Sequence, residues 1–386
     1  MDYCPEDFLQ AISSNCPDIQ KMSLCLSVEC PYTGSGDYQV QNITETTQDL
    51  LSRCIMRLTR LQSFHCLIPP STSTFRALAT HPSLQELVIR LPNNALHDIV
   101  EDLREGWNTS WFPALSSFGI IADDLNDDVN ALLASFTNPT LEAIGVRTDV
   151  LPSTDDVRQL AEAIASSAYA STLTDLSLYF ATVHPRYSPF QDEESDVPII
   201  DAAQALKPLL RRPGPLRLLH LRSAAVAASD EDISTISSAY PSLRSLAIWS
   251  EQGGQHVRHP SLHSLLTIAQ KCPGLTDLRL NLDRIQTACI PSTADVDRLL
   301  PFPSKHPLAG LLTDRSFLTG LDLKTVEGAE PRALELANLI SRIFPVHKLG
   351  IVRHGYFPER EMLCDPWRDS RVVWCVQSPV DPFWLA

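Results

Sequence analysis

The sequence of 386 residues has no long apolar run, few glycines and no stretch rich in lysine or arginine. No window approaches the roughly 18 consecutive apolar residues of a membrane-spanning helix, so we expect no membrane association. Only 14 glycines occur, and neither a phosphate-cradling loop nor a dinucleotide fingerprint is present, so we expect no cofactor. The 46 acidic residues exceed the 31 basic ones, and a formal net charge of −15 disfavours nucleic acid as a partner.

The N-terminal residues and the cysteines indicate a reducing compartment. Residues 1–7 are acidic and lack the basic segment and apolar stretch of a signal peptide. We therefore expect an intracellular protein, cytoplasmic or nuclear, in which the ten cysteines remain reduced. No Cys-x-x-Cys pair occurs, so Cys16 is expected to be a small buried residue rather than a metal ligand.

One apolar pattern recurs along the chain: an apolar residue, two variable residues, an apolar residue, one variable residue and a third apolar residue. The last two apolar positions are two residues apart, so in a β-strand they point to the same face. The first apolar residue fills the turn that leads into the strand. The candidate copies are Ile19-Met22-Leu24, Leu61-Phe64-Cys66, Leu84-Leu87-Ile89, Leu115-Phe118-Ile120, Leu141-Ile144-Val146, Leu173-Leu176-Leu178, Leu216-Leu219-Leu221, Leu243-Leu246-Ile248, Leu275-Leu278-Leu280, Leu318-Leu321-Leu323 and Val346-Leu349-Ile351.

Helical spacing of apolar residues, followed by a proline, precedes several copies of the pattern. Phe75 and Leu78, for example, precede Pro82, and proline ends a helix because it lacks the N–H that the helix needs. Helix, turn and strand in repetition predict parallel strands joined by right-handed crossovers. The predicted fold is therefore α/β: an irregular leucine-rich-repeat solenoid, a right-handed superhelix with a parallel sheet on its concave side and helices on its convex side.

The interval between copies is uneven, with 23 residues from Leu61 to Leu84 and 43 from Leu173 to Leu216. Leucine-rich repeats usually have about 20–29 residues, so the long intervals indicate insertions, which we place near 182–201 and 283–307 and expect to be exposed loops. The predicted domains are a solenoid over 1–352 and a C-terminal cap over 353–386.

The turns before the strands resemble those of a known family. Cys16-Pro17-Asp18-Ile19 and Cys272-Pro273-Gly274-Leu275, with a tail containing Trp367 and Trp374-Cys375-Val376, look like the leucine-rich repeats of F-box proteins, in particular the large fungal F-box-like group. The resemblance covers nearly the whole chain. It implies a substrate receptor of a cullin–RING ubiquitin ligase, in which the F-box binds an adaptor and the repeats hold the substrate.

Two departures from that family leave the ligase role open. An F-box is a three-helix module placed before the repeats, whereas this chain enters its first copy of the pattern by Ile19, so the F-box itself is expected to be missing. The family's asparagine or cysteine three residues after the strand is also absent, with Pro92 and Asp149 at two of those positions. A truncated F-box-like protein without a ligase role is the alternative.

Two short motifs that could suggest a zinc or a calcium site are better explained by local secondary structure. His256, His259 and His263 are interrupted by Pro260, which disrupts a common helical face, so a loop entering a helix is favoured over zinc. The acids between Asp124 and Asn130 lack the glycine and twelfth-position acid of a calcium loop and predict the first turn of a helix beginning near Asp127. We expect no metal site.

Function is expected on the outward strand positions, which line the concave surface of a solenoid. Arginine and aromatic residues there favour partner binding, although Trp249 could instead pack under an insertion loop or against Tyr179. The predicted partner-binding residues are Arg90, Tyr179, His220, Arg222, Trp249, Arg279 and Asn281.

The sequence thus predicts a protein–protein interaction scaffold that is not an enzyme, monomeric outside its complex. Its predicted partners are proteins, with a ubiquitin ligase adaptor and substrate as the specific candidates. An enzyme with a dispersed active site is the alternative from another class, and it would require a pocket with convergent polar groups.

Overall fold

A computed structural model of the chain describes residues 5–24, 45–104, 111–180, 198–212, 214–250, 257–261 and 263–281, with short strand segments at 318–319, 321–322 and 349–350. The predicted cap over 353–386, the insertion at 283–307 and most of the insertion at 182–201 lie outside the described residues.

Helices and strands alternate along the chain, which confirms the predicted α/β class. The helices are α1 (Pro5–Asn15), α2 (Glu45–Arg57), α3 (Thr72–Ala79), α4 (Asn93–Arg104), α5 (Asp127–Ser135), α6 (Thr154–Ser166), α7 (Ala202–Leu210), α8 (Asp230–Ala239) and α9 (His263–Lys271). The strands are β1 (Lys21–Leu24), β2 (Ser63–Cys66), β3 (Glu86–Leu91), β4 (Ser117–Ala122), β5 (Ala143–Thr148), β6 (Asp175–Phe180), β7 (Ile200–Asp201), β8 (Leu218–Ser223), β9 (Val226–Ala227), β10 (Ser245–Ser250), β11 (Asp277–Asn281), β12 (Leu318–Thr319), β13 (Leu321–Asp322) and β14 (Leu349–Gly350).

The described residues form two compact units. The first lies within Met1–Asp123 and Asp127–Ile144, and the second within Asp124–Asn126 and Gly145–Phe357. In the first unit β1, β2, β3 and β4 pair in that order, all parallel. In the second unit β6, β8, β10, β11 and β13 pair in that order, also parallel. Strand order thus follows chain order in each unit, with a helix between most neighbouring strands.

The apolar pattern explains which side chains form the core. In the nine copies from Ile19 to Leu280, the second and third apolar residues lie on a strand and are buried, and from Leu61 onward the first is buried too. Burying a leucine or isoleucine side chain contributes about 1.5–3 kcal/mol, so this repeated set supplies much of the stability. The strands predicted from the pattern are confirmed over the described residues.

Side chains in the turns before the strands connect each repeat to the one before it. His81 Nε2 lies 2.9 Å from the carbonyl oxygen of Leu58, which holds the equivalent position one repeat earlier. The amide nitrogen of Asn138 likewise donates to the carbonyl oxygens of Phe112, at 2.7 Å, and Leu115, at 3.1 Å. These bonds add a side-chain contact to carbonyl groups that also accept a backbone N–H within their own turn, Leu58 from Leu61 and Phe112 from Leu115.

The same contact recurs in the second unit with sulfur as the donor. The Cys272 thiol lies 3.5 Å from the carbonyl oxygen of Tyr240, again the equivalent position one repeat earlier. Burial raises the pKa of the Cys272 thiol and keeps it protonated as a donor. Cys16 holds this position in the first copy of the pattern and is exposed, so the prediction that it is buried was wrong. Among the described residues no earlier turn precedes Cys16 to cover it.

Helix starts follow the expected capping chemistry. The helix predicted near Asp127 is confirmed, since α5 begins there with Asp127 and Asp128 in its first turn. Ser153 and Ser229 close capping boxes at the starts of α6 and α8, which favours these boundaries.

The end of the 182–201 insertion differs from the exposed loop that we expected. Ile200 is fully buried, and β7 pairs in parallel with β9. Asp201 then accepts from the backbone N–H of Gln204 and caps α7. None of the described helices combines the length and the apolar character needed to cross a lipid bilayer.

Candidate functional site

The outward face of the second unit is the side of β6, β8, β10 and β11 opposite to the buried apolar positions. Each strand contributes three outward positions, two, four and six residues after the first apolar residue of its pattern, and parallel pairing aligns them into rows. The amino-terminal row is Asp175, Leu218, Ser245 and Asp277, and the middle row is Ser177, His220, Ala247 and Arg279. The carboxy-terminal row is Tyr179, Arg222 and Trp249. Asn281 ends β11 and pairs with Asp322 on β13.

The three rows differ in exposure. In the middle row Ser177, His220 and Ala247 are buried although they point outward. In the carboxy-terminal row Tyr179, Arg222 and Trp249 are partly exposed. Ser177, His220 and Ala247 therefore form a buried layer under the outward surface. The partly exposed side chains of Tyr179, Arg222 and Trp249 are the groups that a partner could touch.

A chain of hydrogen bonds crosses all four strands of this face. The Tyr179 hydroxyl lies 3.1 Å from Nδ1 of His220, and Nε2 of His220 lies 2.7 Å from Oγ of Ser245. Oγ of Ser245 in turn lies 2.9 Å from Oδ2 of Asp277. We call these four side chains the cross-strand chain.

Donor directions in the cross-strand chain follow from its last member. A carboxylate only accepts, so the Ser245 hydroxyl donates to Asp277 and accepts from Nε2–H of His220. Nδ1 of His220 then lacks a proton and accepts from the Tyr179 hydroxyl. The geometry assigns a neutral imidazole protonated on Nε2, with each side chain held by its neighbour.

Burial makes this protonation state the stable one. Desolvation of His220, which Asp277 only partly opposes, lowers the imidazole pKa to about 4. Desolvation also raises the pKa of Tyr179, despite the nearby positive charges of Arg222 and Arg279. The cross-strand chain is therefore uncharged from Tyr179 to Ser245 at neutral pH.

Serine, histidine and aspartate occur together here, but they are connected differently from a catalytic triad. A triad has the acid on the histidine and the histidine accepting the serine proton. Here Asp277 accepts from Ser245, and His220 donates to that same serine oxygen. The arrangement of these three groups orients side chains and does not make Ser245 a nucleophile through His220.

Arg279 joins the end of the cross-strand chain. Its Nε lies 3.9 Å from Oδ1 of Asp277, and the arginine side chain is 34% exposed. At this exposure the ion pair contributes little to stability. Although the side chain is partly exposed, its Nε atom is buried and has no hydrogen-bond partner within the described part of the chain.

The predicted contact residues fall into groups with different surroundings. Tyr179, Arg222, Trp249 and Arg279 are brought together on the outward face of the second unit and are partly exposed. Asn281 is buried, and its amide both donates to and accepts from the Ser250 backbone, at 3.0 and 2.6 Å. His220 and Asn281 are buried, so they are not accessible to a partner. Their hydrogen bonds instead hold neighbouring strands and side chains in place.

Arg90 lies elsewhere, on the outward face of the first unit, where it forms an ion pair of 3.7 Å with Asp123. Nearby, Glu86 accepts from the Ser63 hydroxyl at 2.8 Å and lies 3.3 Å from Nε2 of His65. Desolvation acts to raise the pKa of Glu86, but the contacts with His65 and Ser63 and the charge of Lys21 outweigh it, so the pKa is lowered.

Ser245 and Asp277 were not among the predicted site residues. Both lie two residues after the first apolar residue of their repeat, whereas the prediction considered only the residues four and six after it. The sequence did contain a signal for this contact. Ser245 and Asp277 hold the same position in consecutive repeats, and parallel strands in register bring such residues side by side.

Within the described part of the chain, no group of three or more histidine, cysteine or acidic side chains is placed to hold a metal ion. No protein family model and no curated protein matches this chain.

Proposed function

We propose that this chain is a leucine-rich-repeat solenoid that binds other proteins through the outward face of its second unit and catalyses no reaction. The fold supports the proposal through strand order that follows chain order in each unit and through the turn contacts between successive repeats. Both features are typical of stacked repeats, in which each unit packs mainly on its neighbours.

The cross-strand chain is the observation that carries the binding proposal. It fixes Tyr179 and the side chains beside it across four strands. Ordering costs about 0.5–1.5 kcal/mol for each flexible side chain on binding, and a face that is already ordered avoids part of that cost. Tyrosine, tryptophan and arginine are also the residues that most often dominate the energy of protein interfaces.

Affinity capture with matched variants tests this function. The tagged chain should retain at least one partner that the double variant Trp249→Ala, Arg222→Ala loses by roughly tenfold or more, as expected when a contact worth about 1.4 kcal/mol or more is removed. Arg158→Ala is the control, because Arg158 lies on α6 and is 45% exposed. If every partner stays bound to the double variant, the proposal is wrong.

The resemblance to F-box-associated repeats gives the proposal a more specific form: the face holds a substrate of a ubiquitin ligase. Recovery of a cullin and its adaptor with the full chain is the expected result. Stable partners without cullin or adaptor would favour the alternative, a truncated F-box-like scaffold with no ligase role. A partner set unchanged by the double variant, together with turnover of a small substrate, would favour the enzyme alternative.

A further inference from the structure

The fold of the second unit brings two arginines together at the edge where its strands begin. Arg217 and Arg244 are far apart in the chain, but each lies directly before a strand, β8 or β10. The backbone N–H of Arg244 donates to the carbonyl oxygen of Arg217 at 2.7 Å, so the two residues hold the same position on neighbouring strands. At about 4.8 Å between strands, the two arginines stand side by side.

Neither of these arginines is neutralised by an acid of the chain. Both are exposed, and within the described part of the chain neither guanidinium group forms an ion pair or a hydrogen bond. The acids that begin the flanking strands are already engaged, Asp175 by the Thr174 hydroxyl at 2.7 Å and Asp277 by Ser245 and Arg279. Like charges in adjacent strand positions destabilise the pairing, so strand pairing does not explain this pair of arginines.

Further basic residues lie at the same edge, because short turns join the ends of the helices to the starts of these strands. Arg211 and Arg212 follow α7 and are exposed. Lys271, in the last turn of α9, donates only to uncharged oxygens among the described residues, those of Ser234 and Ser238. A basic residue at a helix end also suits the helix dipole, whereas the two arginines before β8 and β10 lie outside any helix.

Acidic residues of the second-unit helices concentrate at the opposite edge, where the helices begin. Two acids lie in the first turn of α6 and three in the first turn of α8. Beyond those first turns, Glu162 on α6 is the single acid in the four helices from α6 to α9. The second unit thus places most of its helical acids at one edge and a group of basic residues at the other, although the whole chain has a net charge of −15.

We propose that the basic edge, formed by Arg211, Arg212, Arg217, Arg244 and Lys271, binds a short run of acidic side chains on a partner protein. The proposal goes beyond the proposed function, because these residues lie before the strands and not on their outward positions. Guanidinium groups donate paired N–H bonds to carboxylates. Carboxylates bound beside the two neighbouring arginines also remove the repulsion between them.

The net charge of the chain favours a short acidic segment over an extended polyanion. Charges are screened beyond about 8 Å at physiological ionic strength, so a run of a few acidic residues senses mainly the basic edge. A nucleic acid duplex or an anionic bilayer extends further and would also approach the acidic parts of the chain. A protein with a net charge of −15 repels such extended ligands.

Fluorescence anisotropy of the full chain with a defined probe tests the inference. The probe is a fluorescein-labelled peptide with five consecutive glutamates, compared with peptides that carry five glutamines or five lysines in the same flanking sequence. We expect the glutamate probe to bind at least tenfold more tightly than the glutamine probe, with the affinity falling as salt increases. Equal affinity for these two probes, or tighter binding of the lysine probe, a DNA duplex or phosphatidylserine vesicles, would overturn the inference.

Matched double variants locate the binding on the chain. Arg217→Gln, Arg244→Gln should weaken the glutamate probe by about tenfold or more, without loss of thermal stability, since a repulsive pair is removed. Arg53→Gln, Arg158→Gln changes the net charge equally at exposed positions on α2 and α6 and should leave the affinity unchanged. Equal weakening in both double variants would mean that only the overall charge matters, and the inference would be wrong.

Failure of this inference can be told apart from failure of the proposed function. If affinity capture depends on Trp249 and Arg222 but the glutamate probe does not bind, the outward face binds proteins and only the basic edge is wrongly assigned. If the probe binds at Arg217 and Arg244 but capture does not depend on the outward face, the proposed function fails and the basic edge remains.

Discussion

The outward faces of the two units both contain serine, histidine and an acid, but the connections between them differ. In the first unit, Ser63 and His65 lie two residues apart on β2, and both contact Glu86 on β3. In the second unit, His220 lies on the strand before Ser245, so the serine stands between the histidine and Asp277. In the first unit the histidine shares a strand with the serine, so both surround one acid. In the second unit the histidine lies on the neighbouring strand, so the side chains form a chain across four strands.

The difference has consequences for burial and charge. Glu86 is the centre of the first cluster and attracts both neighbours directly, while the histidine there is 20% exposed. His220 is 6% exposed, and burial keeps it neutral by lowering its pKa. The first face is thus organised around a charge, and the second around buried neutral groups that support exposed arginine and aromatic side chains.

The turns before the strands should show the largest difference between the units. Asn138→Ala removes the donor to two buried carbonyl oxygens and the acceptor for the Thr140 N–H. We expect the first unit to lose about 2–4 kcal/mol, since three hydrogen bonds are removed at about 0.5–1.5 kcal/mol each, although Phe112 and Leu115 keep other donors. Hydrogen exchange of β4 amides, measured by mass spectrometry, reports the loss.

Cys272→Ala is the matched control for Asn138→Ala in the second unit. A thiol is a weak donor, and its contacts are 3.5 and 3.7 Å long, so we expect a loss of about 1 kcal/mol, mainly from the lost burial of sulfur. Equal losses in the two variants would mean that the turn contacts act only by packing and not as hydrogen bonds.

Substitution of the two histidines should give the next largest effect. His220→Ala leaves the Tyr179 hydroxyl without its acceptor and Ser245 without a donor, and creates a cavity, so we expect a loss of about 2–3 kcal/mol. His65→Ala leaves Glu86 with Ser63 and should cost less than about 1 kcal/mol. Hydrogen exchange of the β8 and β10 amides should accelerate in His220→Ala. A larger loss of stability in His65→Ala than in His220→Ala would contradict the prediction.

The strands were predictable from the sequence because their signal is local. An apolar triplet such as Leu216-Leu219-Leu221 specifies a strand and its buried face within a few residues. The cross-strand chain was not predictable in this way. His220 is 41 residues from Tyr179 and 25 from Ser245, and the hydrogen bonds between them form only because the strands pair in a particular register. Cys16 was wrongly placed because its repeat was treated as if an earlier turn covered it.

The dependence of stability on pH should separate the two faces. The pKa of His220 is lowered to about 4 from an unfolded value near 6.5, so below pH 6.5 the unfolded chain binds a proton that the folded chain resists. The contribution of the neutral histidine is complete above pH 6.5 and is lost as the pH falls towards 4, by up to about 3 kcal/mol. Urea unfolding at pH 7 and pH 5 should show a smaller decrease for His220→Gln than for the natural chain.

The stability of the Glu86 cluster should depend on pH in a lower range than that of His220. The pKa of Glu86 is lowered in the folded state, so its contribution is present above the unfolded value of about 4.5 and is lost as the pH falls through the folded pKa. Glu86→Gln should therefore follow the natural chain between pH 7 and 5, and its urea midpoint should decrease less than that of the natural chain below pH 4.5. His81, whose pKa burial also lowers, is present in both variants and in the natural chain, so its effect cancels in the difference. If Glu86→Gln instead departs from the natural chain between pH 7 and 5, the pH dependence of the first face does not come from the Glu86 carboxyl, and the assignment is wrong.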